Sequence, residues 1–297
     1  MNKIILENRN PLKIGICITF NPVFTHIFRA DDIAKDFREF SITGFQGIEL
    51  SIRDIDDINW CDFNVQLQKN RLELVTLGTG LVRKIDNISL MDEDKEKRQM
   101  AVLRINKMID HLGNYDSSSK NILIGYVKGE LTADSKENKE RIKRVTGSLE
   151  EILGIAEQKK VKILIEVINH NETNFITDIA SGASFVSGFK SGYLKILIDT
   201  YHMDIDEKNP SEAIKSASPY IGYVHISDSN RKFPGNGNIA FKPLLAALKD
   251  TGYKGYLMFE CDEKENADAA GAVFESRYEP LSSGFTYISR LLKDLYG

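Results

Sequence analysis

Eight short, nearly continuous apolar runs alternate along this chain with longer stretches whose apolar positions recur at helical spacing. The runs cover residues 13–18, 47–52, 72–77, 121–126, 162–166, 195–199, 222–225 and 255–260. Helical patterns fall near 30–42, 59–70, 92–112, 136–159, 175–189, 210–217, 242–250 and 282–295. Strands that are apolar on both faces, without clean alternation, are covered by protein on both sides, as in parallel sheets. Eight strand–helix units in 297 residues predict an α/β chain folded as a (β/α)8 barrel. No Pro- or Ser-rich linker divides it, so one domain over 1–297 is expected. A doubly wound open sheet is the alternative, but it would not carry the last four strands around one axis.

The last four runs end in Glu166, Asp199, His225 and Glu260, spaced 33, 26 and 35 residues apart. One strand–helix unit takes about 30 residues, so these side chains end four consecutive parallel strands at the same end of the barrel. A lone acid at a strand end usually caps a helix or faces water, and a lone strand histidine is usually a satisfied core residue. Their joint placement changes the reading. Three carboxylates desolvated together cannot all stay ionised unless a cation relieves them. Three carboxylates and one imidazole suit a divalent metal, Mn2+ first, with Mg2+, Co2+ or Zn2+ as alternatives.

Three further residues follow these ends closely: His202 after Asp199, Arg231 after His225 and Glu172 after Glu166. All are expected in loops at the C-terminal face, where barrels hold substrate. Arg231 carries a fork of donors suited to an oxygen-rich ligand; a surface ion pair is the plain reading for Arg231 and Glu172. Glu49 lies in the second run and is expected to support the barrel mouth rather than react. The segment Pro234-Gly-Asn-Gly-Asn238 is read as a turn, with a phosphate-binding nest as the sharper alternative. Phe20, Phe24, Tyr126 and Phe233 are candidates to line a pocket or pack the core. The polar stretch 261–271 is expected to overhang the site as a solvated loop or a lid.

Composition narrows the function classes. The formal charge is −4, with Lys and Arg scattered among acids, so no basic stripe points to nucleic acid. The first nine residues are too charged for a signal segment, and no apolar run approaches the ~18 residues of a membrane span. A soluble, cytoplasmic protein is expected. Cys17, Cys61 and Cys261 share no CxxC spacing, which argues against disulfides or a thiolate zinc site; Cys261 is read as packing.

With these residues in place, the sequence resembles the xylose-isomerase-like barrels, the sugar phosphate isomerases/epimerases. Its site residues are most similar to those of ketose 3-epimerases of the tagatose/psicose type. The resemblance runs from residue 13 through the final helix and is most specific in Ile165-Glu-Val-Ile-Asn169, Ile198-Asp-Thr-Tyr-His-Met203, Tyr223-Val-His-Ile-Ser-Asp228 and Phe259-Glu260. It implies metal binding by Glu166, Asp199, His225 and Glu260. It also implies substrate contact by His202, Arg231 and Glu172, and proton transfer by Glu166 and Glu260. The implied reaction is isomerisation or epimerisation of a small ketose or polyol ketone through a metal-stabilised enediolate. A dehydratase of an inosose-type ring would use the same site. A non-catalytic sugar-binding protein would have lost a ligand, and none is missing. An endonuclease IV-like nuclease needs additional His ligands and an Asp-x-His after the seventh strand. Residues 231–240 contain neither Asp nor His, and His26, His111 and His170 are too few for three zincs. A small-molecule partner, no nucleic acid or membrane, and a possible homo-oligomer complete the expectations.

Overall fold

The computed structural model describes residues 11–24, 27–262 and 276–297. His26 and most of the polar stretch after the eighth run lie outside these residues. The strands are β1 (Lys13–Thr19), β2 (Phe28–Arg29), β3 (Gly47–Ser51), β4 (Glu73–Gly78), β5 (Asn121–Ile124), β6 (Lys162–Glu166), β7 (Leu194–Asp199), β8 (Ile221–Ile226) and β9 (Tyr256–Phe259). All pairings are parallel. The order runs β1-β3-β4-β5-β6-β7-β8-β9, and β9 pairs back onto β1. The sheet therefore closes into an eight-stranded barrel, with the two-residue β2 appended to β1. The (β/α)8 expectation holds.

Helices cover the outside: α1 (Ile33–Thr43), α2 (Trp60–Asn70), α3 (Gly80–Asp86), α4 (Lys95–Gly113), α5 (Ser135–Lys159), α6 (Ile179–Ser187), α7 (Thr200–Asp206), α8 (Pro210–Ser216), α9 (Phe241–Asp250) and α10 (Tyr278–Tyr296). Their starts follow local chemistry. Asp32, Asp94 and Asp134 each accept a backbone N–H in the first turn of α1, α4 and α5. Asp178 and Ser181 form a reciprocal capping box, so α6 begins at Ile179 instead of residue 175. Two short helices, α3 and α7, occupy stretches where the hydrophobic pattern shows only loops. Tyr126, expected at the end of a strand, instead opens a 3-10 turn, Tyr126–Lys128, beyond β5. Among the described residues, no helix is long and apolar enough to cross a membrane.

The barrel separates two apolar layers. Ile14, Ile16, Ile48, Ile163, Ile196 and Leu257 pack outward under the helices. Cys17, Leu164, Leu197, Tyr223 and Met258 belong to a second cluster inside the barrel. Strand side chains alternate with a period of two. Glu166, Asp199, His225 and Glu260 each lie two residues beyond an interior residue: Leu164, Leu197, Tyr223 and Met258. The alternation aims all four inward above a dry floor. That floor is tightly filled: a Cβ added to Gly15 would lie 2.3 Å from Met258 Sδ.

Candidate metal centre and pocket

The four strand-end residues converge. Glu166, Asp199, His225 and Glu260 each offer a ligand atom, and these atoms all lie within 4.8 Å of one another. Exposure is 6% or less for each. Asp199 also caps α7: Oδ1 accepts from Tyr201 N at 2.7 Å. Its Oδ2, like His225 Nδ1, is buried with no hydrogen-bond partner. Buried polar atoms are normally paired, and orphaned donor atoms facing a shared centre are what a cation would satisfy. The donor set fits a divalent metal.

Electrostatics carry the same message. Burial, then the charge of Glu260, pushes the Glu166 carboxyl up to about 8. Burial and Glu260 likewise push Asp199 up to about 7. Burial also opposes ionisation of Glu260, but His225 and Arg231 outweigh it and hold that carboxyl well below its usual range. Burial disfavours the charged form of His225, yet Glu49, Cys17 and Glu260 keep its pKa well above the ordinary value. Protons thus stand where a cation would relieve the crowded carboxylates.

Beside the cluster lies a polar wall. Arg231 Nη2 donates to Glu260 Oε2 at 2.9 Å and Nη1 to Glu172 Oε1 at 3.1 Å. Its guanidinium stacks over Tyr201, 4.7 Å from the ring centroid. Tyr126 donates its hydroxyl to Glu172 Oε2. Asn169 Oδ1 accepts from Asn171 N at 3.0 Å, so its amide nitrogen faces Glu172 Oε1 at 3.0 Å and His202 Nδ1 at 2.6 Å. His202 Nδ1 is therefore an acceptor, and its Nε2–H points toward Glu166 Oε1, 3.7 Å away. Burial, then Arg231, lowers His202 to about 3, so it is neutral at pH 7. For Glu172, Arg231 and the Tyr126 hydroxyl outweigh burial and lower its pKa.

The structure brings all seven expected site residues together, with one correction: His202 lies in α7, not in a loop. The helix exists because Asp199 caps it, so Asp199 and the neighbouring histidine are set by one local motif. A pocket opens on Glu166, His202, Arg231 and Glu260, with Phe24, Ile27 and Leu123 on its apolar side. Phe24 and Tyr126 line it, whereas Phe20 packs against Phe63 and Phe233 packs against Phe259. The Pro234–Asn238 turn points its donors inward. Gly235 N and Ile239 N bond to the Asp228 carboxylate at 2.8 and 3.0 Å, and Asn238 N bonds to Ser229 Oγ at 3.0 Å. Within the turn, the amides of Gly235 and Asn238 are thus engaged by Asp228 and Ser229, as the turn reading expects.

Three contributors escape the sequence reading. Asn169 was visible only as part of a strand-end motif. Lys128 is 1% exposed, with Nζ 3.3 Å from Gly125 O; burial lowers it to about 8, opposed by Glu166. Gly125 leaves space for Glu166, whose Oε2 would lie 2.4 Å from an added Cβ. Nothing in the local pattern signals a buried lysine or a glycine that touches a residue 41 positions away.

A family model described as a xylose isomerase-like TIM barrel matches residues 37–277. The D-psicose 3-epimerase of Enterocloster bolteae is 27% identical over 237 residues, covering 77% of this chain and 76% of that protein. The D-psicose 3-epimerase of Ruminiclostridium cellulolyticum is 31% identical over 212 residues, covering 67% and 69%. Both names are those of isomerase-class enzymes. The solved structure of an L-ribulose 3-epimerase superposes with a TM-score of 0.79 at 23% identity, covering 96% of this chain and 95% of that one.

Proposed function

This chain belongs to the xylose isomerase-like TIM barrel family, and we propose that it is a metal-dependent epimerase of a small, unphosphorylated ketose. The observation that carries the reading is the convergence of Glu166, Asp199, His225 and Glu260 within 4.8 Å, two of the four being glutamates on well-separated strands. The relatives named as ketose 3-epimerases support it.

Glu166, Asp199, His225 and Glu260 would hold the cation, Mn2+ by preference. When bound, it supplies a Lewis acid that polarises a carbonyl and compensates negative charge. The remaining chemistry belongs to the protein. One of Glu166 and Glu260 removes the proton from the carbon next to the carbonyl; the other delivers a proton to the opposite face, inverting that centre. Arg231 keeps Glu260 ionised and fixes its rotamer through the 2.9 Å contact. The Nε2–H of His202 is placed to donate to a substrate oxygen beside Glu166. Glu172, tied to Tyr126, Asn169 and Arg231, offers acceptors to hydroxyls. The apolar side of Phe24, Ile27 and Leu123 excludes water from the reacting face.

The substrate is assigned as unphosphorylated because the pocket supplies little positive charge. Glu260, Asp199 and Glu172 surround Arg231, and the backbone N–H groups of Gly235 and Asn238 are taken up by Asp228 and Ser229.

The test is proton NMR of the Mn2+-loaded enzyme, then exchanged into Mg2+, in D2O with a panel of free ketoses. Deuterium is expected at the carbon beside the carbonyl, with the epimer accumulating. Glu260→Gln should fold normally and lose turnover. Exchange with none of the ketoses, or full turnover by folded E260Q, would sink the assignment.

A further inference from the structure

We propose that Glu49 is a positioning residue for the metal centre: it holds the Nε2–H of His225 and thereby presents the Nδ1 lone pair to the cation. The inference rests on the metal-dependent reading above and assigns to that site a partner outside the four ligands.

The geometry divides the imidazole into two edges. Glu49 lies on β3 and His225 on β8, and their side chains meet across the barrel interior. Glu49 Oε2 is 3.1 Å from His225 Nε2, with the residues 3% and 0% exposed. Cys17, the register partner of Glu49 on β1, has Sγ 3.7 Å from the same nitrogen. On the opposite edge, Nδ1 has no hydrogen-bond partner and lies 3.6 Å from Glu260 Oε2, within the ligand cluster. A neutral imidazole carries one N–H, and the hydrogen bond made by one nitrogen decides which lone pair is free. A carboxylate is the stronger acceptor of the two groups at the Nε2 edge, so the proton belongs there. Fixing the tautomer and raising ligand basicity in this way typically changes metal affinity 10- to 100-fold.

Two other uses of Glu49 make different predictions. Cys17, Glu49 and His225 could together hold a second cation; that requires Nε2 to lose its proton and the ring to bridge two ions. Glu49 also borders the pocket, so it could touch substrate directly. That would move KM and leave metal binding alone.

The experiment is titration of the chelator-treated full-length protein with Mn2+, following free Mn2+ by EPR, for wild type, Glu49→Leu and Glu49→Gln. One cation per chain is expected. E49L should bind about 10- to 100-fold more weakly, while E49Q, whose amide oxygen still accepts from Nε2–H, should recover most of the affinity. Circular dichroism of the metal-free variants checks folding. Should E49L fail to fold, 15N NMR of histidine-labelled, Mg2+-loaded wild type decides the question. The His225 signals, assigned through His225→Gln, should show a proton on Nε2 and none on Nδ1. Unchanged affinity in folded E49L, two cations per chain falling to one in Cys17→Ser, or a bare Nε2 would each overturn the proposal. A wild type that binds no divalent cation would overturn the metal reading and this inference with it.

Discussion

Arg231 Nη2 donates to Glu260 Oε2 across 2.9 Å while Nη1 of the same guanidinium reaches Glu172. One planar group thus fixes a carboxylate of the strand-end cluster and the Glu172 carboxylate beside it at once. The residue pays for its position with left-handed backbone at φ 62°, in a turn closed by its own N–H onto Asp228 O at 2.8 Å.

A lysine cannot reproduce this fork, because its ammonium is a point charge without fixed planar donors. Arg231→Lys should lower kcat/KM by about 100-fold, equivalent to roughly 2.7 kcal/mol, with the fold intact. Steady-state kinetics on the responsive ketose checks this; a loss smaller than about threefold would contradict the clamp.

Gly125 borders Glu166 so closely that an added Cβ would sit 2.4 Å from Oε2. Gly125→Ala should displace that carboxylate and cut kcat by about 10- to 100-fold, since displacements near 1 Å cost catalysis on that order. Far-ultraviolet circular dichroism should match wild type. Normal kcat in the alanine variant would show that Glu166 tolerates displacement.

Without a cation, Glu166 and Asp199 carry pKa values raised to about 8 and about 7. Both are protonated to a large extent at pH 7, and ligation must displace those protons. Affinity for Mn2+ should therefore weaken as pH falls from 8 to 6. Calorimetry at pH 7 in buffers of different ionisation enthalpy should register proton release. A pH-independent affinity without release would count against the ligand set. Removing the cation should also lower Tm, since saturation at 100 times Kd contributes about 2.7 kcal/mol.

His202 is lowered to about 3 from an ordinary value near 6.5. Its folded-state pKa is depressed, so protonation favours the unfolded chain. The neutral, buried ring contributes stability that is complete above about 6.5 and lost as pH falls toward about 3. His202→Asn should therefore show a shallower fall in Tm between pH 6.5 and 4 than wild type, both measured metal-free. Parallel curves would place the acid sensitivity elsewhere.

The barrel and its four converging strand-end residues were legible because both follow from local rules. Near-continuous apolar strands at one unit's spacing dictate a parallel sheet with covered faces. The period of two then places Glu166, Asp199, His225 and Glu260 on the side of Leu164, Leu197, Tyr223 and Met258. Helix α7 was missed because its seven residues make only about two turns, too few for a clear period, and its start depends on an aspartate read as a candidate metal ligand. The start of α6 was misplaced because its capping box outranked the apolar run before it.

What the sequence by itself determined is therefore the order of the strands and the chemistry at their ends, both set by neighbours a few residues apart. Only the tertiary structure decided which of those ends touch. The contact of Glu49 with His225 spans 176 residues, and those of Arg231 with Glu172 and Glu260 span 59 and 29. The space beneath Glu166 depends on Gly125 from the neighbouring strand's end. Each depends on how the barrel closes and in what register, because closure converts positions remote in the chain into a shared, dry interior where an unpaired charge must find a partner.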